Sequence, residues 1–322
     1  MLRSVCIYAS QLASCIGYNR FKKQSDALES VWQRVDPISF RDALARNGIK
    51  TQEEAVRDLM TSNDTVRTIL VEAEDAQTKT SGDVARGYEA SSQKLLAETA
   101  LDREDRRLVD DALRKSLYTS FGNRQESVAL DHVQGGVQCH PDDTFYRQHV
   151  LDVDGVTVFV GGKMDAISDD GHTIIELKNR INRLFYRIPM YEIIQVQAYL
   201  HVVPAARQAQ LIECLTRDDG TMATNAVLVL PDEELWETVV LPGLVGFVRA
   251  LIRVLRDPKI QDMYLQSRRR ASLVAALAAS QHPLYDCPRE SQDDEREPQA
   301  AEAVAVRQNL TQGFSVGLSE KI

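Results

Sequence analysis

The sequence predicts a mixed α/β fold of the α+β kind, in which a helical N-terminal half leads into a sheet flanked by helices. Three observations predict it. Apolar residues recur at helical spacing from Asp26 to Leu117, alternating β-branched runs fill Thr144 to Lys178, and an apolar helical pattern ends at Asp257-Pro258. The 322 residues are 43% hydrophobic and 26% charged. That composition is ordinary for a globular chain and excludes a wholly disordered, collagen-like or coiled-coil protein. A chain this long buries about three quarters of its unfolded surface, so neither disulfides nor a structural metal is required.

In chain order, Ser10 precedes Leu12, Ala13 and Ile16 and the run closes at Gly17, which predicts an N-capped helix stopped by glycine. Thr51-x-x-Glu54 reads as a capping box, followed by periodic Ala55 and Leu59 and later by Leu95, Leu96 and Ala100. VLDV, VTVFV and TIIELK, separated by Asp154-Gly155 and Asp169-Asp170-Gly171, predict three antiparallel strands. A helix over 189–203 follows, then strands near 210–216 and 226–229, then a helix over 232–255 broken at Pro242. Residues 1–270 are expected to form one domain, with a helical part at 1–140, a sheet core at 141–230 and a closing helix at 231–257. Residues 271–322 are expected to be a mostly disordered acidic tail. Positions 281–322 hold eight acids against four bases, so they supply −4 of the net charge of −9.

No run approaches the ~20 apolar residues of a membrane helix, and no long apolar stretch near the start ends at a cleavage site. A soluble intracellular protein, cytoplasmic or nuclear and without membrane partners, is therefore expected. Cys6, Cys15, Cys139, Cys214 and Cys287 are scattered and lack a Cys-x-x-Cys pair, which predicts reduced thiols. Cys139-His140 with His149 likewise lacks the second pair of a zinc site. The acidic balance argues against nonspecific coating of nucleic acid through overall basicity. Locally the sign reverses, because residues 175–187 hold four bases against one acid.

The chemistry concentrates between Phe159 and Tyr199. Glu176 and Lys178 lie two apart on a predicted strand, so they share a face, while Ile175 and Leu177 share the other. If the hairpin turns at 169–171, Asp165 lands near Glu176, and two carboxylates can share a divalent cation. Gly161 and Gly162 leave room for close backbone approach. In the next helix Gln195 and Tyr199 stand four apart on one face, and a buried Gln needs a partner. An acid-x-Lys triplet arises by chance roughly 1.5 times in a chain with 47 acids and ten lysines. The other instance, Asp257-Pro258-Lys259, follows a helix and contains Pro, so no strand presents both side chains. Carboxylates, a lysine and a basic rim of Arg180, Arg183 and Arg187 suit hydrolysis of a polyanion's phosphodiester through Mg²⁺.

The order Gly-Gly-x-x-Asp, ten residues, Glu-Leu-Lys, then Gln-x-x-x-Tyr resembles the PD-(D/E)xK nuclease superfamily, and within it the lambda-exonuclease and YqaJ-type viral recombinases. SQLASCIGYNRFKK is similar to that group's opening. Together the motifs span Ser10 to Tyr199. Met164 stands where the superfamily name has Pro, and the clustered C-terminal cysteines of the iron-sulfur branch are missing. The resemblance implies a restriction-endonuclease-like core with a mixed central sheet. It implies Mg²⁺, with Mn²⁺ as substitute, held by Asp165, Glu176 and the Leu177 carbonyl. It further implies Lys178 as the catalytic lysine, Gln195 as a support for the active site, and an upstream helical Glu, for which Glu89 after Gly87 is the first choice and Glu98 the second. Arg20 and Lys22, with Tyr199 and the arginine rim, are the expected DNA contacts. The expected activity is a 5′-to-3′ exonuclease on duplex DNA ends in recombination or replication. An endonuclease, or a non-catalytic DNA-binding protein on the same fold, stands as the alternative. A homo-oligomer and a single-strand annealing protein are the further partners implied.

Overall fold

A computed structural model describes residues 2–134 and 138–279. The chain opens on β1 (Ser4–Tyr8), which the sequence reading passed over although Val5 and Ile7 alternate inward. It runs directly into α1 (Ala9–Cys15), so Tyr8 occupies the N-cap position with no side-chain cap, and Ser10 lies inside the helix. Gly17 ends the segment at φ +83°, as a glycine stop requires.

The helical half comprises α2 (Gln24–Val35), α3 (Pro37–Arg46), α4 (Gln52–Ser62), α5 (Asp64–Asp75), α6 (Ser81–Glu98) and α7 (Arg103–Gln134). At the start of α4 the Glu54 N–H donates to Thr51 Oγ1 at 3.1 Å, and the Thr51 N–H donates to Glu54 Oε2 at 2.9 Å. This is the reciprocal arrangement of a capping box. From α5 to α7, Ile69, Leu95, Leu113, Leu117 and Phe121 bury into one core, each stabilising by about 1.5–3 kcal/mol. The C-terminal part of α7 leaves that core, and Ala129, Leu130 and Val133 pack beneath a sheet instead. One 32-residue helix therefore joins the two halves.

Residues 144–179 form four strands rather than three, and these belong to two mixed sheets rather than one. In the first, β4 (Val156–Gly162) lies between β3 (Tyr146–Val153), antiparallel to it, and β1, parallel to it. In the second, the order is β2 (Cys139–Pro141), β5 (Ala166–Ser168), β6 (Thr173–Asn179), β7 (Gln208–Thr216) and β8 (Met222–Val229). Only β6 and β7 pair parallel there. The division falls at residues 163–165, where the chain leaves one ladder before entering the next. Local alternation reports strands but not which ladder each joins, because β1 and β7 arrive from distant sequence.

Beyond α8 (Met190–Val202) and β8 come α9 (Glu233–Leu235), a π turn at Trp236–Val240, α10 (Leu241–Arg256), α11 (Pro258–Gln266) and α12 (Arg270–Ala279). The wide turn accommodates Pro242, whose missing N–H and ring disrupt a regular ladder. Against expectation, the 24-residue run Glu233–Arg256 is long and apolar enough to cross a membrane by composition. Its apolar side chains serve the core: Trp236, Val240, Leu244, Phe247, Val248 and Leu251 are buried, with α10 packed on α11 and α12. The boundary expected at 270 also moves, because α12 buries Val274 and Leu277 and Arg253 donates to the Leu277 carbonyl. The rest of the expected tail, 280–322, lies outside the described residues.

Candidate active site

The site is built on β6. Ile175 and Leu177 turn to the core formed with α7 through Ala129, Leu130 and Val133, and that packing fixes the register that sends Glu176 and Lys178 to the opposite face. Lys178 Nζ donates to Glu176 Oε1 at 2.7 Å. From α8, Gln195 Nε2 donates to the same oxygen at 2.7 Å, while Gln195 Oε1 accepts from Lys178 Nζ at 3.2 Å. Gln195 thus bridges carboxylate and ammonium and holds both. It also donates to Tyr199 Oη at 3.2 Å.

Asp165 follows the glycine pair and precedes β5. The Leu177 N–H donates to Asp165 Oδ2 at 2.6 Å, which brings the two acidic positions together across the β5–β6 hairpin. Both glycines are required by close approach. A Cβ at Gly161 would lie 2.6 Å from the Tyr146 carbonyl oxygen, and one at Gly162 would lie 2.9 Å from the Tyr199 ring.

Burial raises the Glu176 carboxyl to about 7, with Lys178 opposing and Asp165 adding to the rise. Burial also raises Asp165, against the Leu177 N–H and Lys178 charge, and the Glu126 charge reinforces the shift. At Lys178 burial pulls downward, but the Glu176 charge and hydrogen bond outweigh it and the ammonium is held above its usual value. Glu176 Oε2 is buried without any hydrogen-bond partner. A buried, unpartnered carboxylate oxygen costs about 1–3 kcal/mol or more, and a cation removes that cost. Among the described residues no three His, Cys, Asp or Glu side chains gather closely enough to ligate a metal alone. The donor set therefore fits a hard cation only with carbonyl and water oxygens added, which is how Mg²⁺ is commonly held.

A cavity of about 210 Å³ opens between Gly122, Asn123 and Glu126 of α7 and Asp165, Leu177, Lys178, Asn179 and Arg180. Glu126, which the sequence pattern did not single out, is an acid lining this cavity. Glu89, the upstream acid expected there, is exposed on α6, where it accepts from Gln93 Nε2 at 3.4 Å, and Glu98 is exposed as well. The signal for Glu126 was present: Gly122 precedes it by one helical turn in FGNRQE, the same glycine-then-glutamate order read at Gly87 and Glu89.

Two expected DNA contacts are corrected. Tyr199 is 4% exposed. Its hydroxyl is raised by burial and by Glu176, and its ring fills the space above Gly162, so it supports the site from behind. Arg180 is enclosed too: Nη1 and Nη2 donate to Glu192 at 2.7 Å each, and Nε donates to Glu213 at 2.7 Å. Its guanidinium is spent on two carboxylates. Arg183 and Arg187 are exposed. Arg20 is exposed over the Phe21 ring at 4.6 Å, and Phe21 meets Tyr191 edge-on at 5.9 Å, which sets the N-terminal segment beside the start of α8. Lys22 is half-buried, its N–H donating to Asn19 Oδ1 at 3.2 Å.

No family model matches the chain, and no curated protein matches it. Solved structures do. An alkaline exonuclease (LHK-Exo) from Laribacter hongkongensis is similar at 14% identity and a TM-score of 0.33, covering 64% of this chain and 92% of that one. The same exonuclease in complex with dAMP gives 13% identity and a TM-score of 0.29. SSO0001 gives 14% identity and a TM-score of 0.32, over 66% of this chain and 95% of its own.

Proposed function

We propose that the protein is a Mg²⁺-dependent deoxyribonuclease, a lambda-exonuclease-like enzyme acting 5′ to 3′ on duplex ends in recombination or replication. The observation that carries this reading is the buried, unpartnered Glu176 Oε2 beside Asp165, with Lys178 locked to the same carboxylate. Asp165, Glu176 and the Leu177 carbonyl would hold the cation, with Glu126 across the cavity as a further acid. When bound, Mg²⁺, or Mn²⁺ in its place, polarises the phosphoryl oxygens and acidifies the attacking water.

The chain's own groups do the rest. Lys178 stays protonated and stabilises charge that grows on the phosphoryl group, a task in which preorganised donors are worth most. Gln195 fixes the ammonium's direction by accepting from Nζ and by holding the Glu176 carboxylate, so no reorganisation is needed at the moment of reaction. Arg20, Lys22, Arg183 and Arg187 supply phosphate contacts that position the strand.

The test is to incubate the purified protein and Mg²⁺ with linear and covalently closed circular duplexes. Loss of linear DNA alone is expected, from the 5′ end and abolished by chelation. Cleavage of closed circles makes the enzyme an endonuclease, and failure to cut either substrate while still binding it overturns the hydrolytic reading.

A further inference from the structure

The loop from Arg180 to Pro189 leaves the catalytic strand and returns as the helix that carries Gln195, so both its ends lie at the site. It is held more firmly than its exposure suggests. Glu213 of β7 is 0% exposed and stands directly across from Lys178 in the β6–β7 register. Its carboxylate accepts from the Phe185 N–H at 3.0 Å, the Tyr186 N–H at 3.0 Å, Asn225 Nδ2 at 2.9 Å and Arg180 Nε at 2.7 Å. The Arg180 guanidinium also lies 4.1 Å over the Phe185 ring. Neighbouring strands are about 4.8 Å apart, so the Glu213 carboxylate ties the Tyr186 backbone to the strand position beside Lys178.

Tyr186 itself adopts φ +58°, a left-handed conformation that costs a non-glycine residue about 1–3 kcal/mol and persists only where the surroundings impose it. The result of that constraint is an aromatic ring 72% exposed, with exposed Arg183 and Arg187 on either side in sequence. Phe21, 70% exposed, rests against Tyr191 where the loop joins α8. A braced, solvent-facing ring with exposed cations on the same loop matches the way proteins hold single-stranded nucleic acid: the ring stacks on a base and the cations take phosphates. Within a paired duplex the base faces are covered by their stacked neighbours, whereas an unpaired nucleotide at a duplex end or in a single strand offers its face to such a ring.

We propose that Tyr186 stacks on an unpaired nucleobase of the strand whose phosphate enters the site, with Glu213 and Arg180 as positioning residues that fix the ring. This deepens the nuclease reading and rests on it for the identity of the polyanion. The test measures binding of the full chain, in Ca²⁺, to fluorescent single-stranded oligonucleotides with ordinary or abasic nucleotides, and to blunt duplexes. Tyr186→Ala is expected to weaken binding of the ordinary single strand roughly tenfold, to leave the abasic strand unchanged, and to be rescued by Tyr186→Phe. Equal affinity of wild type and Tyr186→Ala overturns the proposal, as does an equal loss on the abasic strand or failure of the Phe variant to rescue. A wild type that binds no oligonucleotide overturns both readings. Base-dependent binding through Tyr186 without Mg²⁺-dependent cleavage overturns the hydrolytic reading alone.

Discussion

Two charged clusters lie along the seam between β6, β7 and α8, and their glutamates are equally hidden: Glu176 and Glu192 are each 3% exposed and Glu213 is 0%. Their chemistry diverges all the same. Around Arg180, Glu192 receives two guanidinium N–H groups and Glu213 receives four residues' donors, so every charge is answered. Burial pulls Glu213 upward, yet Asn225, the Phe185 N–H, Arg180 and the Tyr186 N–H outweigh it and hold the carboxyl below its usual range. Around Lys178 the account is left open, with one oxygen of Glu176 unpartnered and its carboxyl raised to about 7. The closed cluster holds a loop in place, and the open one leaves a buried carboxylate oxygen with no hydrogen-bond partner.

The largest effect separates the clusters by activity. Glu176→Gln and Asp165→Asn are each expected to cut Mg²⁺-dependent cleavage about a thousandfold while the protein stays folded. Near wild-type turnover in either variant places the chemistry elsewhere. Arg180→Met should do the reverse in stability, because it strands two buried carboxylates, a loss of about 3–5 kcal/mol in urea unfolding. A loss under about 1 kcal/mol contradicts the structural role of that cluster.

Metal should sharpen the contrast next. Mg²⁺ or Ca²⁺ at a hundred times its dissociation constant is expected to stabilise the wild type by about 2.7 kcal/mol and Asp165→Asn much less, as thermal unfolding will report. Equal stabilisation of both would assign the cation to other ligands.

Without metal, the two clusters should give pH dependences of opposite sign. The folded Glu176 carboxyl, raised from 4.5 to about 7, keeps a proton that the unfolded chain has already lost, so its contribution to stability falls as pH rises through that window. Glu176→Gln should abolish that slope. Glu213, depressed in the fold, contributes stability above its unfolded value that is lost as pH falls through the lower folded value. Urea unfolding in chelator from pH 3 to 8 checks both signs. The smallest effect concerns the upstream acid. Glu126→Gln should slow cleavage about tenfold, in the range seen for outer partners of a metal site, whereas Glu89→Ala should leave it unchanged. The opposite pattern would restore Glu89.

The sequence by itself determined whatever depends on short-range periodicity. Strand alternation put Glu176 and Lys178 on one face, helical spacing put Gln195 and Tyr199 on one face, and the turn at 169–171 returned Asp165 to Glu176. Only the tertiary structure decided what each face meets. Tyr199 was legible as a partner of Gln195 but not as buried over Gly162, which depends on how α8 packs against β4. Arg180 read as a free cation because its captor Glu213 lies 33 residues away and meets it only through parallel pairing of β6 and β7. Glu126 was not singled out by the local pattern, and it lines the cavity only because Ala129, Leu130 and Val133 dock its helix beneath the sheet. Local pattern is set by backbone geometry within a few residues, whereas charge partners are set by register and packing between segments that the chain brings together only on folding.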